Sequence, residues 1–300
     1  MIDEIRVLVT DMDGTLLNDE KTLSQQTIDT LIQAQKQGYT LVLATGRSID
    51  MVMGYAHDLK MDQHGGYIVG FNGQQVLELA TDTFYEGEHI DPALVKEVYH
   101  FSKRHQLQMI LEHRNGFLIY TPWVLFPLKI YGFYVSLRHK KMQKRNQTYH
   151  IMSGYRIKPT IHVDQVTSIK QLDTQISKIG VNQYQSWLSK KQSKLRKYFD
   201  DHFTITKVAP YWIDMMPKGI DKAVGLRWVS QRLDIPLDHF MAFGDAENDI
   251  SMIKAVRFGV AMSNAMDQTK EAASMTIPET NNEDGVAKTV RKIMEKSLVV

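Results

Sequence analysis

The sequence predicts an α/β protein: a doubly wound, mostly parallel sheet core carrying an inserted α+β domain. Apolar, strand-length runs alternate with amphipathic helical stretches in the first third of the chain and again in the last third, as in βαβ units. Those runs stop at small or polar residues, where strands of a parallel sheet emerge toward a ligand crevice. More than a hundred residues, from about Thr83 to Val208, separate the two regions, too many for a connection within one compact domain. The expected boundaries are residues 1–82 and 209–300 for the core and 83–208 for the insert.

Val7–Thr10 is the first strand, a buried β-branched run ending in Asp11-Met12-Asp13-Gly14. Ser24–Gln37 carries Ile28, Leu31, Ile32 and Ala34 at near-helical spacing and stops at Gly38. Thr40–Ala44 is a strand followed by Thr45-Gly46-Arg47, Ile49–Leu59 a helix, and Tyr67–Gly70 a strand ending in Phe71-Asn72-Gly73. Inside the insert, Leu94–Arg104 reads as a helix and Met109–Tyr120 as two strands around the hairpin signal Arg114-Asn115-Gly116. Ile176–Val181 reads as a strand and Tyr184–Phe199 as a basic helix. Trp212–Met215 is taken as a short strand returning to the core, followed by a helix over Asp221–Leu233 and a strand over Phe240–Phe243 that ends in Gly244-Asp245. A helix at Ile250–Ala255 and a strand at Gly259–Met262 continue the alternation.

The chain has 300 residues, 43% hydrophobic and 23% charged, the balance of a soluble globular protein. Basic residues exceed acidic ones by only two, so no overall field selects nucleic acid or membrane as partner. With no cysteine, disulfides, thiolate metal sites and a cysteine nucleophile are excluded. No export signal is read at the N-terminus, and a cytoplasmic location is expected. Phe117–Leu137 is rich in aromatic and aliphatic residues but carries Pro122, Pro127 and Lys129, which makes it a poor membrane span. Its rings, Tyr120, Trp123, Phe126, Tyr131, Phe133 and Tyr134, are expected in the core of the insert, with a pocket wall as the alternative.

Asp11 and Asp13 carry the clearest chemistry. Two carboxylates this close repel unless a cation or shared proton relieves them, which points to a hard divalent metal. A hydroxyl and backbone N–H groups at Thr45-Gly46, Lys222 ahead of a helix, and the acidic loop Gly244-Asp245-Ala246-Glu247-Asn248-Asp249 complete a set suited to phosphoryl transfer. Metal neutralises charge, donors hold the non-bridging oxygens, and an ammonium closes the cradle.

On these motifs, with Asn72-Gly73 and Glu283-Asp284-Gly285-Val286-Ala287, the chain resembles phosphatases of the haloacid dehalogenase superfamily, most closely the Cof-type subfamily (C2-capped, subclass IIB). The family commonly has Lys-Gly at the third motif. Here Lys222 is followed by Ala223, and Lys218-Gly219 lies upstream; Lys222 is chosen for its place at the helix start. The resemblance implies a Rossmann-like core, a C2-type cap formed by the insert, and a Mg2+-dependent phosphohydrolase acting on small phosphorylated metabolites. Sugar phosphates or flavin- and pyridoxal-type phosphates are the implied substrates. It further implies Asp11 as the nucleophile that forms an aspartyl phosphate, and Asp13 as general acid and then base. Mg2+ is implied on Asp11, the Asp13 carbonyl and Asp245. Phosphate donors would be Thr45 and Asn248 with the amides of Met12 and Gly46, beside the Lys222 ammonium. Asp249 and Arg47 would orient these groups rather than touch the substrate. The acid role requires that the neighbouring carboxylate and partial burial favour protonated Asp13.

Core residues alone do not separate a hydrolase from a phosphotransferase or sugar phosphomutase. A phospho-acceptor switch is disfavoured by the second aspartate and the large insert. The basic run Arg138–Arg145 is read as a solvated face rather than a nucleic-acid site. The expected partner is a small phosphorylated metabolite, neither nucleic acid nor membrane, and the oligomeric state is not legible.

Overall fold

The computed structural model describes residues 4–113, 116–138, 148–150, 155–157 and 162–296. The chain divides into two compact units, Met1–Gly87 with Gly219–Val300, and Glu88–Lys218. Strands β1 (Val7–Thr10), β2 (Thr40–Ala44), β3 (Tyr67–Gly70), β4 (Gln75–Glu78) and β5 (Thr83–Glu86) precede the second unit. That unit holds β6 (Gln108–His113), β7 (Gly116–Tyr120), β8 (Thr148–His150), β9 (Tyr155–Ile157), β10 (His162–Gln165), β11 (Lys178–Asn182), β12 (Phe203–Ala209) and β13 (Trp212–Pro217). β14 (Phe240–Gly244), β15 (Phe258–Ala261) and β16 (Met275–Thr276) follow it. The helices are α1 (Gln25–Lys36), α2 (Ile49–Asp58), α3 (Met61–His64), α4 (Pro92–His105), α5 (Phe126–Arg138), α6 (Gln185–Phe199), α7 (Lys222–Leu233), α8 (Ile250–Ala255), α9 (Asp267–Ala272) and α10 (Gly285–Met294).

The first unit is built on one sheet in the order β16-β15-β14-β1-β2-β3-β4-β5. Pairing is parallel from β16 to β3 and antiparallel for β3–β4 and β4–β5. Side chains alternate across the strands. Leu8, Leu41, Leu43, Ile68 and Phe243 face a core completed by α1, α2 and α10, while Val7, Val9, Val42, Val69 and Ala242 face α7 and α8. Burial on both faces is why these strands read as unbroken apolar runs.

The second unit carries a six-stranded sheet in the order β10-β7-β6-β11-β13-β12. One face packs Met109, Leu111, Ile179, Val181, Ile213 and Met215 against α4 and α6. The other buries Lys178 beside Glu112 (2.8 Å) and Asp214 (3.6 Å).

The division departs from the expected boundaries at both ends. Thr83–Glu86 is not the start of the insert; it pairs with β4 as the edge of the first sheet. Trp212–Pro217 does not return to that sheet but pairs antiparallel with β11 and β12. A short apolar run before a helix has the local look of a βα unit, whereas here it closes a hairpin with the preceding β12 and pairs on its other side with β11. α5 also had no sequence signal. In α5 Tyr131 and Tyr134 are 65% and 48% exposed, and Trp123 in the turn before it is 75% exposed, so these rings are not the core of the insert; the buried side of residues 123–138 shows Leu125 and Lys129 instead. Arg114-Asn115 of the hairpin signal and residues 139–145 of the basic run lie outside the described residues. Among the described residues no helix is long and apolar enough to cross a membrane.

Candidate active site

β1 and β14 are central neighbours from which the chain departs in opposite directions, so their carboxyl ends form a topological switch point. The Asp11 N–H donates to the Phe243 carbonyl at 2.9 Å, extending the parallel register just past the strand. Gly14 has φ +85°, and a Cβ there would lie 2.5 Å from Asp245 Oδ2. Glycine is therefore needed for the turn and for the approach of Asp245. The Thr15 hydroxyl donates to Asp245 Oδ1 at 2.7 Å, joining the first acidic loop to the last.

Lys222 opens α7, whose N-cap Asp221 accepts from the Val224 N–H at 3.1 Å. The lysine is fully buried, and its Nζ lies 2.5 Å from Asp11 Oδ1 and 2.5 Å from Asp249 Oδ1. Asp249 Oδ2 accepts from the backbone N–H groups of Asp245 (2.9 Å) and Ala246 (3.0 Å). This buried carboxylate thus fixes both the acidic loop and the ammonium. Lys218 belongs to the second unit and donates to the Asp200 carbonyl, so of the two lysines it is Lys222 that stands among the acids.

One ammonium does not neutralise three carboxylates. Burial, reinforced by Asp249 and Asp245 and only partly opposed by Lys222, holds the Asp11 carboxyl well above its ordinary value. Burial and Asp249 push Asp245 up to about 7 against the Thr15 hydrogen bond. Burial works to lower Lys222, but Asp11 and Asp249 outweigh it and the ammonium is held more tightly than usual. Carboxylate oxygens of Asp11, Asp245 and Asp249 lie within 4.8 Å of one another. A buried, all-oxygen donor set with excess negative charge fits a hard divalent cation. Asp249 is already committed to Lys222 and two N–H groups, so Asp11 and Asp245 are the carboxylates suited to hold it.

Asp13 does not meet the protonation expectation. Arg47 grips its carboxylate through Nε (2.7 Å) and Nη2 (2.6 Å), and Lys21 Nζ lies 2.8 Å from Oδ1. Burial would raise its pKa, but the two cations overcome it and lower the value to about 2. Asp13 is therefore ionised. Arg47 lies over the Tyr55 ring, 5.9 Å from its centroid, and the Tyr55 hydroxyl donates to the Lys21 carbonyl at 3.0 Å. Lys21 and Tyr55 were not found from the sequence: Lys21 sits in a polar stretch without periodicity, and Tyr55 reads as one apolar position of a helix.

Thr45 is buried, its N–H donates to the Val69 carbonyl (2.8 Å), and its Oγ1 accepts from the Arg47 N–H (3.2 Å). A hydroxyl accepting in this way keeps its proton to donate. Gly46 lies between these two residues, and Met12 buries its side chain in the core. Asn248 Nδ2 donates to Asn72 Oδ1 at 2.9 Å, while its own Oδ1 is buried without a hydrogen-bond partner among the described residues. Glu283-Asp284 serves the scaffold. Asp284 Oδ1 accepts from Ser24 Oγ (2.6 Å) and Thr27 Oγ1 (3.0 Å) at the start of α1, and Glu283 closes a capping box with Thr280. Nearby Asn281 donates to the Leu17 carbonyl at 3.0 Å, bracing the segment that follows Asp13.

A family model described as haloacid dehalogenase-like hydrolase matches residues 8–290. A Streptococcus pyogenes protein provisionally named a phosphatase is 27% identical over 96% of this chain and 98% of its own. The Bacillus subtilis protein named 5-amino-6-(5-phospho-D-ribitylamino)uracil phosphatase YcsE is 27% identical over 96% of this chain and 95% of its own. A haloacid dehalogenase-like hydrolase from Bacteroides thetaiotaomicron superposes with a TM-score of 0.74 at 25% identity, over 96% of this chain and 99% of that one.

Proposed function

The chain belongs to the haloacid dehalogenase-like hydrolases, and on that premise we propose that it is a Mg2+-dependent phosphatase acting on small phosphorylated metabolites through an aspartyl phosphate on Asp11. The observation that carries this reading is the buried Lys222 ammonium, 2.5 Å from Asp11 and flanked by Asp245 and Asp249. A carboxylate attacking a phosphate dianion faces strong repulsion at bonding distance, and in a buried site it reacts only when fixed cations offset that charge.

Asp11 forms a bond to phosphorus as the bond to the leaving oxygen breaks. Lys222, the Thr45 hydroxyl and the Gly46 and Met12 amides supply positive charge and donors to the non-bridging oxygens, with Asn248 beside them. Asp11, Asp245 and the Asp13 carbonyl would hold Mg2+, which would supply further positive charge against the phosphate. Ionised Asp13 is ready to take a proton from the water that hydrolyses the intermediate. To protonate a leaving oxygen it must first exchange Arg47 and Lys21 for a proton.

The Glu88–Lys218 unit fits the role of the cap that selects the leaving group, which makes sugar phosphates and flavin- or pyridoxal-type phosphates the classes to try. The Bacillus subtilis relative is named for a ribityl phosphate bearing a uracil ring, so compounds of that type belong first in the panel. Phosphate release from a monoester panel, measured with Mg2+ and with EDTA, tests the reading. The wild type should turn over at least one class only when metal is present, and Asp11→Asn should form no phosphoenzyme. Turnover by Asp11→Asn near the wild-type rate would refute the nucleophile.

A further inference from the structure

The groups expected to meet phosphate at Thr45, Asn248 and Lys222 come from three distant stretches of chain, yet one three-residue loop touches all three neighbourhoods. Phe71, Asn72 and Gly73 follow β3 with φ of 45°, 52° and 99°. Three successive left-handed residues are unusual, and a bulky side chain such as Phe71 adopts that conformation only where its surroundings enforce it. Here they do. The Phe71 N–H donates to the Arg47 carbonyl and the Asn72 N–H to the Thr45 carbonyl, both at 2.9 Å, so the loop is laced to the end of β2. Gly73 lies against the start of α7: a Cβ would stand 2.0 Å from the Asp221 carbonyl oxygen, one residue before Lys222. Between them Asn72, buried to 2% exposure, accepts from Asn248 Nδ2 through its side-chain oxygen at 2.9 Å.

We propose that Asn72 is a positioning residue for the phosphate site, holding the Asn248 amide at a fixed distance from the Thr45 loop so that both meet the phosphate oxygens together. This rests on the phosphatase reading above. Asparagine suits the position for two reasons. It tolerates the left-handed backbone better than other side chains, and it offers a neutral acceptor where a carboxylate would add charge beside the bound anion. Its contact runs to a group that would otherwise rotate about two side-chain torsions, and a donor already aligned loses less freedom when phosphate arrives.

A double-mutant cycle on steady-state kinetics with a turned-over phosphate ester and Mg2+ tests the assignment, using wild type, Asn72→Gly, Asn248→Ala and the pair. Glycine keeps the left-handed backbone and deletes only the side chain. Asn72→Gly should raise KM and lower kcat/KM by about tenfold, the scale of one misaligned hydrogen bond, with its unfolding midpoint lowered by no more than roughly 10 °C, so that it stays folded at the assay temperature. Because Asn72 acts through Asn248, the double variant should fall no more than about twofold below Asn248→Ala alone. Should Asn72→Gly not fold, Asn72→Ser, whose oxygen falls short of Asn248, takes its place in the cycle with the same expectation. Unchanged kinetics in the Asn72 variant, or losses that multiply in the pair, would overturn the proposal. A wild type that releases phosphate from no ester would instead remove the phosphatase reading, and this one with it.

Discussion

Replacing Lys222 by methionine removes the ammonium in contact with Asp11 and Asp249 while nearly preserving volume. At 2.5 Å each contact is worth about 7 kcal/mol by Coulomb's law with an effective dielectric of about 20. Most of that is offset by the cost of taking the ammonium out of water. Breaking a buried pair by deleting one partner therefore costs about 3–5 kcal/mol, chiefly because the other charge stays buried and unpaired. In a protein of this size that corresponds to a fall of roughly 6–20 °C in unfolding midpoint. The loss has a definite pH dependence. Asp11 already titrates well above its ordinary value, and without Lys222 it moves higher still. A carboxylate whose folded pKa is raised loses stability as pH climbs from its unfolded value, near 4, through the folded one. Calorimetry of metal-free protein should thus show a larger deficit at pH 8 than at pH 5, and Mg2+ should recover part of it at pH 8. A metal-free midpoint at pH 8 within about 2 °C of wild type would refute the view that Lys222 balances buried carboxylates.

Three further outcomes are expected. Asp245, pushed up to about 7, costs the metal-free protein stability between about pH 4 and pH 7, so saturating Mg2+ should raise the midpoint more at pH 8 than at pH 5. At a hundredfold excess over Kd the gain is about 2.7 kcal/mol, and an equal rise at both pH values would count against a carboxylate cation site. Gly14→Ala places a Cβ 2.5 Å from Asp245 Oδ2 at φ +85°. It should cost about 1–3 kcal/mol and weaken Mg2+ binding by isothermal titration, whereas unaltered Mg2+ affinity would show that Asp245 tolerates displacement. Arg47→Ala should release Asp13 from its low value of about 2. A lowered carboxyl stabilises above its unfolded pKa and loses that contribution as pH falls toward 2. With the Asp13 side chain 39% exposed, solvent screening limits the loss to about 1 kcal/mol at neutral pH, and urea titrations should show it shrinking under acid conditions.

The strand ends were legible because polar residues after a buried apolar run are a local signal. Asp11, Thr45 and Asp245 needed only their own neighbours in sequence to be found, and Ser24 and Asp221 could be read as helix starts in the same way. Lys21 could not. Its contact to Asp13 depends on a φ of 57° and on Tyr55 reaching back across the fold, and neither leaves a periodic trace. The protonation of Asp13 failed for the same reason: the sequence places two aspartates together, but only packing decides that Arg47 and Lys21 outweigh burial and hold its carboxyl low.

By itself the sequence determined the alternation of strands and helices, the apolar faces that make the sheet a buried layer, and the acidic, hydroxyl and ammonium groups available at its edge. These follow from hydrophobic period and turn chemistry, which act over a few residues. Tertiary structure alone decided which sheet receives Trp212–Pro217. It also decided that Asp249 is spent on Lys222 and two backbone N–H groups while Asp245 stays suited to a cation. The contacts that settle them reach across the chain, from Trp212–Pro217 to β11 and from Lys222 to Asp249 and Asp11 at separations of 27 and 211, and burial rather than sequence distance sets the strength of such contacts.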